Sequence, residues 1–202
     1  MIIKCLPVGM FGSNCYILGD DGEGIVIDAG VESTYVLKAI EESNLKIKYI
    51  VLTHGHIDHI CHVDDLREKT GAKVMINKFD AACLTDSNLN GSAFFSDAEV
   101  FKAADGYVED GDTLEAGNLK FQIIHTPGHN PGCICIKVHD SVFTGDTLFK
   151  RGIGRTDLPG GDFNSLANSI KNKLFKLPDE TKVYPGHGDS TTIGQEKKSS
   201  GF

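Results

Sequence analysis

The segment THGHIDHICH, residues 53–62, holds four of the chain's eight histidines and an aspartate. His54, His56, Asp58 and His59 all fall within six consecutive residues of it. These side chains are a poor choice for an apolar core, because each one carries polar atoms that must find partners. A bound divalent cation satisfies several such atoms at once. The segment therefore predicts a metal site, and the alternative is a solvated, histidine-rich turn.

Three more polar residues occur where apolar strands are predicted to end. His129 lies in the turn HTPGHNPG, Asp146 follows the apolar run VFTG, and His187 follows VYPG. Side chains at the ends of neighbouring strands can converge on one site. These residues favour a metal site over an isolated turn.

The elements that must position these residues can be predicted from hydrophobic spacing. Strands are predicted at IIKCLPV, NCYILG, GIVIDAG, IKYIVLT and AKVMIN, and near GYVEDG, DTLEAG, LKFQIIHT, CICIKVH, SVFTG and KVYPG. Helical spacing predicts helices at 32–44, 63–71 and 163–177. Both halves of the chain place strands before a helix, which predicts an α/β fold of two packed sheets with helices outside.

The strand IKYIVLT leads into the histidine-rich segment. Residues two apart in an extended chain point the same way, so His54 and His56 are expected to face one site. Asp28 ends another apolar strand, IVID, and is predicted to orient a ligand histidine from behind.

Composition limits the class of protein. The chain has 202 residues, which fits one domain, 1–202, and its formal net charge is −8. Such a surface repels phosphate backbones and argues against a nucleic-acid partner. The N-terminal MIIKCLPVGMF has no apolar run that suits a signal sequence or a membrane span. We therefore expect a cytoplasmic protein with no membrane partner, and we interpret its six cysteines as reduced thiols.

The order of the polar motifs resembles that of the metallo-β-lactamase superfamily, whose signature is His-X-His-X-Asp-His followed by a later His, Asp and His. Within it, the segments THGHIDH, TPGHNPG, GDTLF, GIGRTDLPGGD and PGHGDSTTIGQEK are similar to short glyoxalase II-like hydrolases. The resemblance implies a four-layer αββα sandwich.

The resemblance also implies a set of metal ligands. One metal would be held by His54, His56 and His129, and a second by Asp58, His59 and His187, with Asp146 bridging the two. Imidazole and carboxylate ligands suit zinc, and iron and manganese are alternatives.

The chemistry expected of such a centre is hydrolysis. Two divalent cations would bring four positive charges, and Asp58, Asp146 and a bridging hydroxide would neutralise three of them. The remaining charge of about +1 would attract an anionic small-molecule substrate. The metal-bound hydroxide would attack an acyl carbonyl, in a thioester such as S-acylglutathione, and Asp58 would act catalytically by relaying a proton to the leaving thiolate. Arg155 would either bind a substrate carboxylate or form an ion pair with Asp157 that shapes its loop.

Other functions stay open at this point. Persulfide dioxygenases share the histidine motif and the GRTD loop, and they hold a single iron at the positions of His54, His129 and Asp146. Lactonase or β-lactamase activity is a lesser hydrolytic alternative, and a metal-binding protein without catalysis is a third class. The sequence leaves the oligomeric state open.

Overall fold

The chain folds into fourteen strands and five α-helices in the computed structural model, which describes residues 1–95 and 98–199. The strands are β1 (Ile2–Leu6), β2 (Cys15–Asp20), β3 (Glu23–Ile27), β4 (Lys46–Val51), β5 (Lys73–Asn77), β6 (Gly106–Val108), β7 (Thr113–Ala116), β8 (Leu119–His125), β9 (Ile134–Val138), β10 (Ser141–Gly145), β11 (Leu148–Phe149), β12 (Gly152–Ile153), β13 (Lys182–Pro185) and β14 (Thr191–Thr192). The helices are α1 (Ser33–Glu42), α2 (Ile57–Ile60), α3 (Val63–Thr70), α4 (Phe163–Asn172) and α5 (Ile193–Ser199).

The strands form two six-stranded sheets and one small hairpin. The first sheet has the order β1-β2-β3-β4-β5-β6. It begins as an antiparallel meander and becomes parallel from β3 onward. The second sheet has the order β14-β13-β10-β9-β8-β7, with β10 and β13 as its parallel pair. Strands β11 and β12 pair with each other just after Asp146.

Three hydrophobic clusters separate four layers. Strand β2 shows how, because successive side chains of a strand point to opposite faces. Its Ile17 packs with residues of α1 and α3, whereas its Leu18 packs with residues of the second sheet. On the far side of the second sheet, Val142 and Val183 pack against α4. The layers are therefore helix, sheet, sheet and helix, which confirms the predicted αββα sandwich.

Some predicted element boundaries were wrong. Strand β4 ends at Val51, three residues before His54, so the histidine-rich segment does not continue the strand. Helix α4 ends at Asn172, and a short 3₁₀ turn follows it. Helix α3 does end at the predicted Gly71, which adopts the left-handed conformation that glycine favours (φ 68°).

The structure also describes the cysteines and the apolar character of the helices. All six cysteines are unpaired, which agrees with reduced thiols. Across 1–95 and 98–199, no helix is long and apolar enough to cross a membrane.

Candidate metal centre

The seven polar residues singled out in the sequence meet at one edge of the sandwich. They are carried by four connections that follow β4, β8, β10 and β13. The segment after β4 contributes four of them, His54, His56, Asp58 and His59, and the other three connections contribute His129, Asp146 and His187. Loop geometry, and not strand alternation, brings the first two histidines together, because β4 has already ended.

Three histidines form the first group of candidate ligands. His54, His56 and His129 each offer one nitrogen, and these atoms lie within 4.8 Å of one another. The Nδ1 atom of His56 is 2.9 Å from Nε2 of His129, although 73 residues separate them. We call this group the tri-histidine set.

A second group lies beside it. Asp58, His59 and His187 also offer one ligand atom each within 4.8 Å. The Nε2 atom of His187 lies 3.1 Å from Asp58 Oδ2 and 3.2 Å from His59 Nε2. We call this group the Asp-His-His set.

Asp146 stands between the two sets. Its Oδ1 lies 3.4 Å from Nε2 of His59, and its Oδ2 lies 3.7 Å from Nε2 of His129 and 3.6 Å from Nε2 of His187. One carboxylate therefore reaches ligand atoms of both sets, as a bridging residue must.

Two buried atoms at the centre have no hydrogen-bond partner among the described residues. They are His54 Nε2 and Asp146 Oδ1. A buried polar atom without a partner is costly, and a nitrogen lone pair and a carboxylate oxygen are both ligands for a divalent cation. The donor set of imidazoles and carboxylates thus fits metal ions.

Fixed hydrogen bonds orient several of the imidazoles. Asp28 lies behind the centre, where its Oδ2 accepts hydrogen bonds from His59 Nδ1 at 2.9 Å and from Thr53 Oγ1 at 2.8 Å. The same threonine oxygen lies 3.1 Å from His54 Nδ1. An imidazole whose Nδ1–H donates to such a partner keeps its Nε2 lone pair for a metal. The predicted position of Asp28 behind a ligand histidine agrees with these contacts.

His129 is oriented by the backbone of Arg155, the residue for which the sequence leaves two roles open. Its Nδ1 donates to the backbone oxygen of Arg155 at 2.8 Å. The guanidinium of Arg155 lies outside and bonds both oxygens of Asp157, at 2.7 and 2.8 Å. The loop-shaping ion pair of the two alternatives is thus formed in this structure.

Two side chains outside the predicted set, Ser13 and Asp80, also support the centre. The Ser13 hydroxyl donates to the backbone oxygen of Asp58 at 2.7 Å, and Ser13 forms an isolated bridge with His187. Asp80 is fully buried beside the loops of the tri-histidine set. Their only signal in the sequence is a polar residue beside apolar ones, which many surface residues share.

The pKa values of His54 and His56 shift in the opposite direction from those of His59 and His187. Burial, together with the charge of neighbouring histidines, lowers the pKa of His54 well below its usual value and lowers that of His56 to about 4. Burial also disfavours charge on His59 and His187, but the nearby carboxylates outweigh it and raise both pKa values. Burial opposes ionisation of Asp146 as well, yet His59 and the other histidines lower its pKa to about 2.

Comparison with known proteins identifies the family. The profile of the metallo-beta-lactamase superfamily matches residues 8–187, a range that includes all seven candidate ligands. The chain belongs to the metallo-beta-lactamase superfamily.

Relatives of this superfamily match along almost the whole chain. The hydroxyacylglutathione hydrolase GloC of Haemophilus influenzae is 37% identical, and the alignment covers 100% of this chain and 98% of the relative. A solved structure of the BLEG-1 B3 metallo-beta-lactamase is 37% identical with a TM-score of 0.93, covering 98% of this chain and 97% of that one. A structure of TTHA1623 in a di-iron-bound form is 33% identical with a TM-score of 0.87, covering 98% of this chain and 99% of that one.

Proposed function

We propose that this superfamily member is a hydrolase that holds two divalent cations, zinc first among the candidates, and cleaves a small anionic thioester such as an S-acylglutathione. The observation that carries the proposal is the pair of three-ligand sets, each with its atoms within 4.8 Å, joined by Asp146. A single structural metal would need only one such set.

Two further facts support the proposal. The relative from Haemophilus influenzae is named a hydroxyacylglutathione hydrolase. The relative bound to two irons shows that a similar chain can hold a metal pair, and it leaves iron as an alternative to zinc.

We assign the metal ligands as follows. The tri-histidine set would hold one cation, the Asp-His-His set would hold the other, and Asp146 would bridge them. Bound there, divalent cations would supply a water of lowered pKa and Lewis acidity toward an acyl carbonyl, which is the chemistry that thioester hydrolysis needs.

The chain's own residues would orient the centre and move a proton. Hydrogen bonds from Nδ1 to fixed acceptors hold the rings of His59 and His129 in place. The side chain of Asp58 is 14% exposed, and we assign it the transfer of a proton from the attacking water to the leaving thiolate. No serine or cysteine nucleophile is required.

Metal content and substrate turnover test the proposal together. Protein purified without added metal would be analysed for its elements and assayed on a panel of acyl-glutathione thioesters. We expect about two metals per chain and thioester cleavage that a chelator abolishes and added zinc restores. A lactone and a β-lactam belong in the panel, because one structural relative is named a B3 metallo-beta-lactamase.

Other outcomes would replace the proposal. One iron per chain, with oxygen uptake on glutathione persulfide, would identify the dioxygenase centred on His54, His129 and Asp146. A protein loaded with two metals that cleaves only the lactone or the β-lactam would keep the metal centre and overturn the thioester substrate.

A further inference from the structure

Asp80 is a buried carboxylate that touches none of the seven candidate ligands directly. It follows β5 and has no exposed surface. Its side chain accepts three hydrogen bonds: from the backbone N–H of Gly132 at 2.6 Å, from the side-chain amide of Asn130 at 2.8 Å and from the backbone N–H of Gly55 at 3.1 Å. Both carboxylate oxygens of this buried side chain therefore have hydrogen-bond partners.

Those three donors belong to the two loops that carry the tri-histidine set. Gly55 lies between His54 and His56, whereas Asn130 and Gly132 lie in the loop of His129. The packing around the carboxylate is so close that a Cβ at position 132 would lie 2.5 Å from the Asp80 carboxyl carbon. Asp80 therefore joins two segments that are more than 70 residues apart in the chain.

The Asp-His-His set has a separate support. Ser13 holds the backbone of Asp58, and Asp28 holds the ring of His59, at 2.7 and 2.9 Å. None of the three side-chain hydrogen bonds of Asp80 reaches these residues. The Asp28 network also reaches His54 through Thr53 Oγ1, whereas the side-chain hydrogen bonds of Asp80 reach only the loops of the tri-histidine set.

We infer that Asp80 is a positioning residue for one metal of the pair: by joining the loop of His54 and His56 to the loop of His129, it sets the affinity of the tri-histidine set without acting on the Asp-His-His set. The inference rests on the metal centre of the proposed function and not on its substrate.

The substitution Asp80→Asn tests the inference with almost no change in volume. If the new amide nitrogen takes the place of Oδ1, it faces the N–H of Gly132, donor against donor. If the new amide nitrogen takes the place of Oδ2, it faces the backbone N–H of Gly55 and the side-chain amide of Asn130, which are again donors. In either orientation a backbone N–H of a ligand-bearing loop loses its acceptor, so the loops are no longer held together.

The experiment measures each half of the centre in a background that lacks one ligand of the other half. His187→Ala leaves the tri-histidine set intact, and His56→Ala leaves the Asp-His-His set intact. Zinc affinity of each zinc-loaded, full-length variant would be measured by competition with a chromophoric chelator. Adding Asp80→Asn is expected to lower the zinc affinity about 10–100-fold in the His187→Ala background. In the His56→Ala background the zinc affinity is expected to stay unchanged.

Glu196→Gln is the matched control. Glu196 is a buried carboxylate that also accepts three hydrogen bonds, from Arg151, Thr191 and Ser199. The Glu196→Gln variant tests whether a general loss of stability is enough to lower the zinc affinity. Its thermal unfolding would therefore be measured beside that of Asp80→Asn. We expect zinc affinity to stay unchanged with Glu196→Gln in both backgrounds.

The outcomes separate the inference from the proposed function. Equal weakening in both backgrounds, or none in either, would overturn the role of Asp80 even if thioesters are cleaved. An unsubstituted protein that binds zinc but cleaves no thioester would overturn only the substrate. Should Asp80→Asn not fold, Asn130→Ala removes one donor of the network, and a loss of zinc affinity confined to the His187→Ala background is again expected.

Discussion

Asp146 is the residue that we propose as the bridge between the two metals. Its carboxylate lies 3.4–3.7 Å from histidine nitrogens of both sets, and the two sets share no other carboxylate at these distances among the described residues. We predict that Asp146→Ala lowers the metal content from about two per chain to one or none, and abolishes hydrolysis, as elemental analysis and a thioester assay would show. Asp189→Ala is the control, since Asp189 is an exposed carboxylate that pairs with Lys150. An active Asp146→Ala protein with two metals would contradict the assignment.

The protonation of His59 predicts a pH dependence of metal binding. Although burial opposes the charge of His59, the carboxylates of Asp146, Asp58 and Asp28 raise its pKa. The pKa of His187 is also raised. A cation must displace these protons, so zinc affinity should rise with pH until both histidines are neutral, by about tenfold per pH unit for each proton released. Zinc titration calorimetry in buffers of different ionisation enthalpy would count the protons. An affinity that does not change between pH 5 and 8 would show that the two rings are already neutral.

Arg155 can be tested by comparing it with its own partner. The Arg155 guanidinium forms an exposed ion pair with the Asp157 carboxylate. The backbone oxygen of Arg155 accepts a hydrogen bond from the ring of His129. If the guanidinium binds the anionic substrate, Arg155→Ala should raise KM several-fold, and Asp157→Ala should not. If the pair only shapes the loop, both variants should have the same effect. Steady-state kinetics on one thioester distinguishes the two roles.

At the scale of elements, the loop of His129 depends on its contact with α4. Gly128 has a φ of 143°, and a Cβ there would lie 2.2 Å from the backbone nitrogen of Leu166 in that helix. We predict that Gly128→Ala forces the loop away from α4, lowers the free energy of unfolding by about 1–3 kcal/mol or more, and weakens zinc binding by the tri-histidine set. Thermal unfolding and zinc competition would measure both effects.

Gly71→Ala provides the comparison for Gly128→Ala. Gly71 also has a positive φ, 68°, but a Cβ there meets no atom within 4 Å. The substitution should cost about 1–2 kcal/mol for the strained conformation and leave zinc affinity unchanged. Equal zinc affinity in both variants would mean that the contact with α4 does not position His129.

At the scale of the whole molecule, the metal centre joins the two sheets. The histidine-rich segment follows the first sheet, whereas His129, Asp146 and His187 follow strands of the second. A metal that binds only the folded chain stabilises it by about 4 kcal/mol when its free concentration is about 1,000 times Kd. We predict that a chelator lowers Tm and that zinc restores it, as scanning calorimetry would show. In the Asp146→Ala variant the increase in Tm on adding zinc should be much smaller than in the unsubstituted protein. An increase of the same size would mean that the stabilising metal binds elsewhere.

Local sequence was enough to single out the candidate ligands. Ligand chemistry resides in the side chain itself, so three histidines and an aspartate in THGHIDH and single polar residues after three apolar runs could be recognised as candidates without a fold. The layered fold was also predictable, because alternation and helical spacing show which faces must be buried. The pairing of ligands into two sets came from the resemblance to a known superfamily, and the structure brings the same residues together.

Only the tertiary structure decided how the ligands are held. The end of β4 at Val51 places His54 and His56 in a loop, a boundary that apolar spacing could not locate. The hydrogen bonds from Gly55 and Gly132 to Asp80, and from His129 to the carbonyl of Arg155, join segments 25–52 residues apart. Spacing along the chain indicates which residues are candidate ligands. Partners so far apart meet only when the strands assemble into sheets and the sheets pack, and so their contacts cannot be inferred from the sequence of either segment.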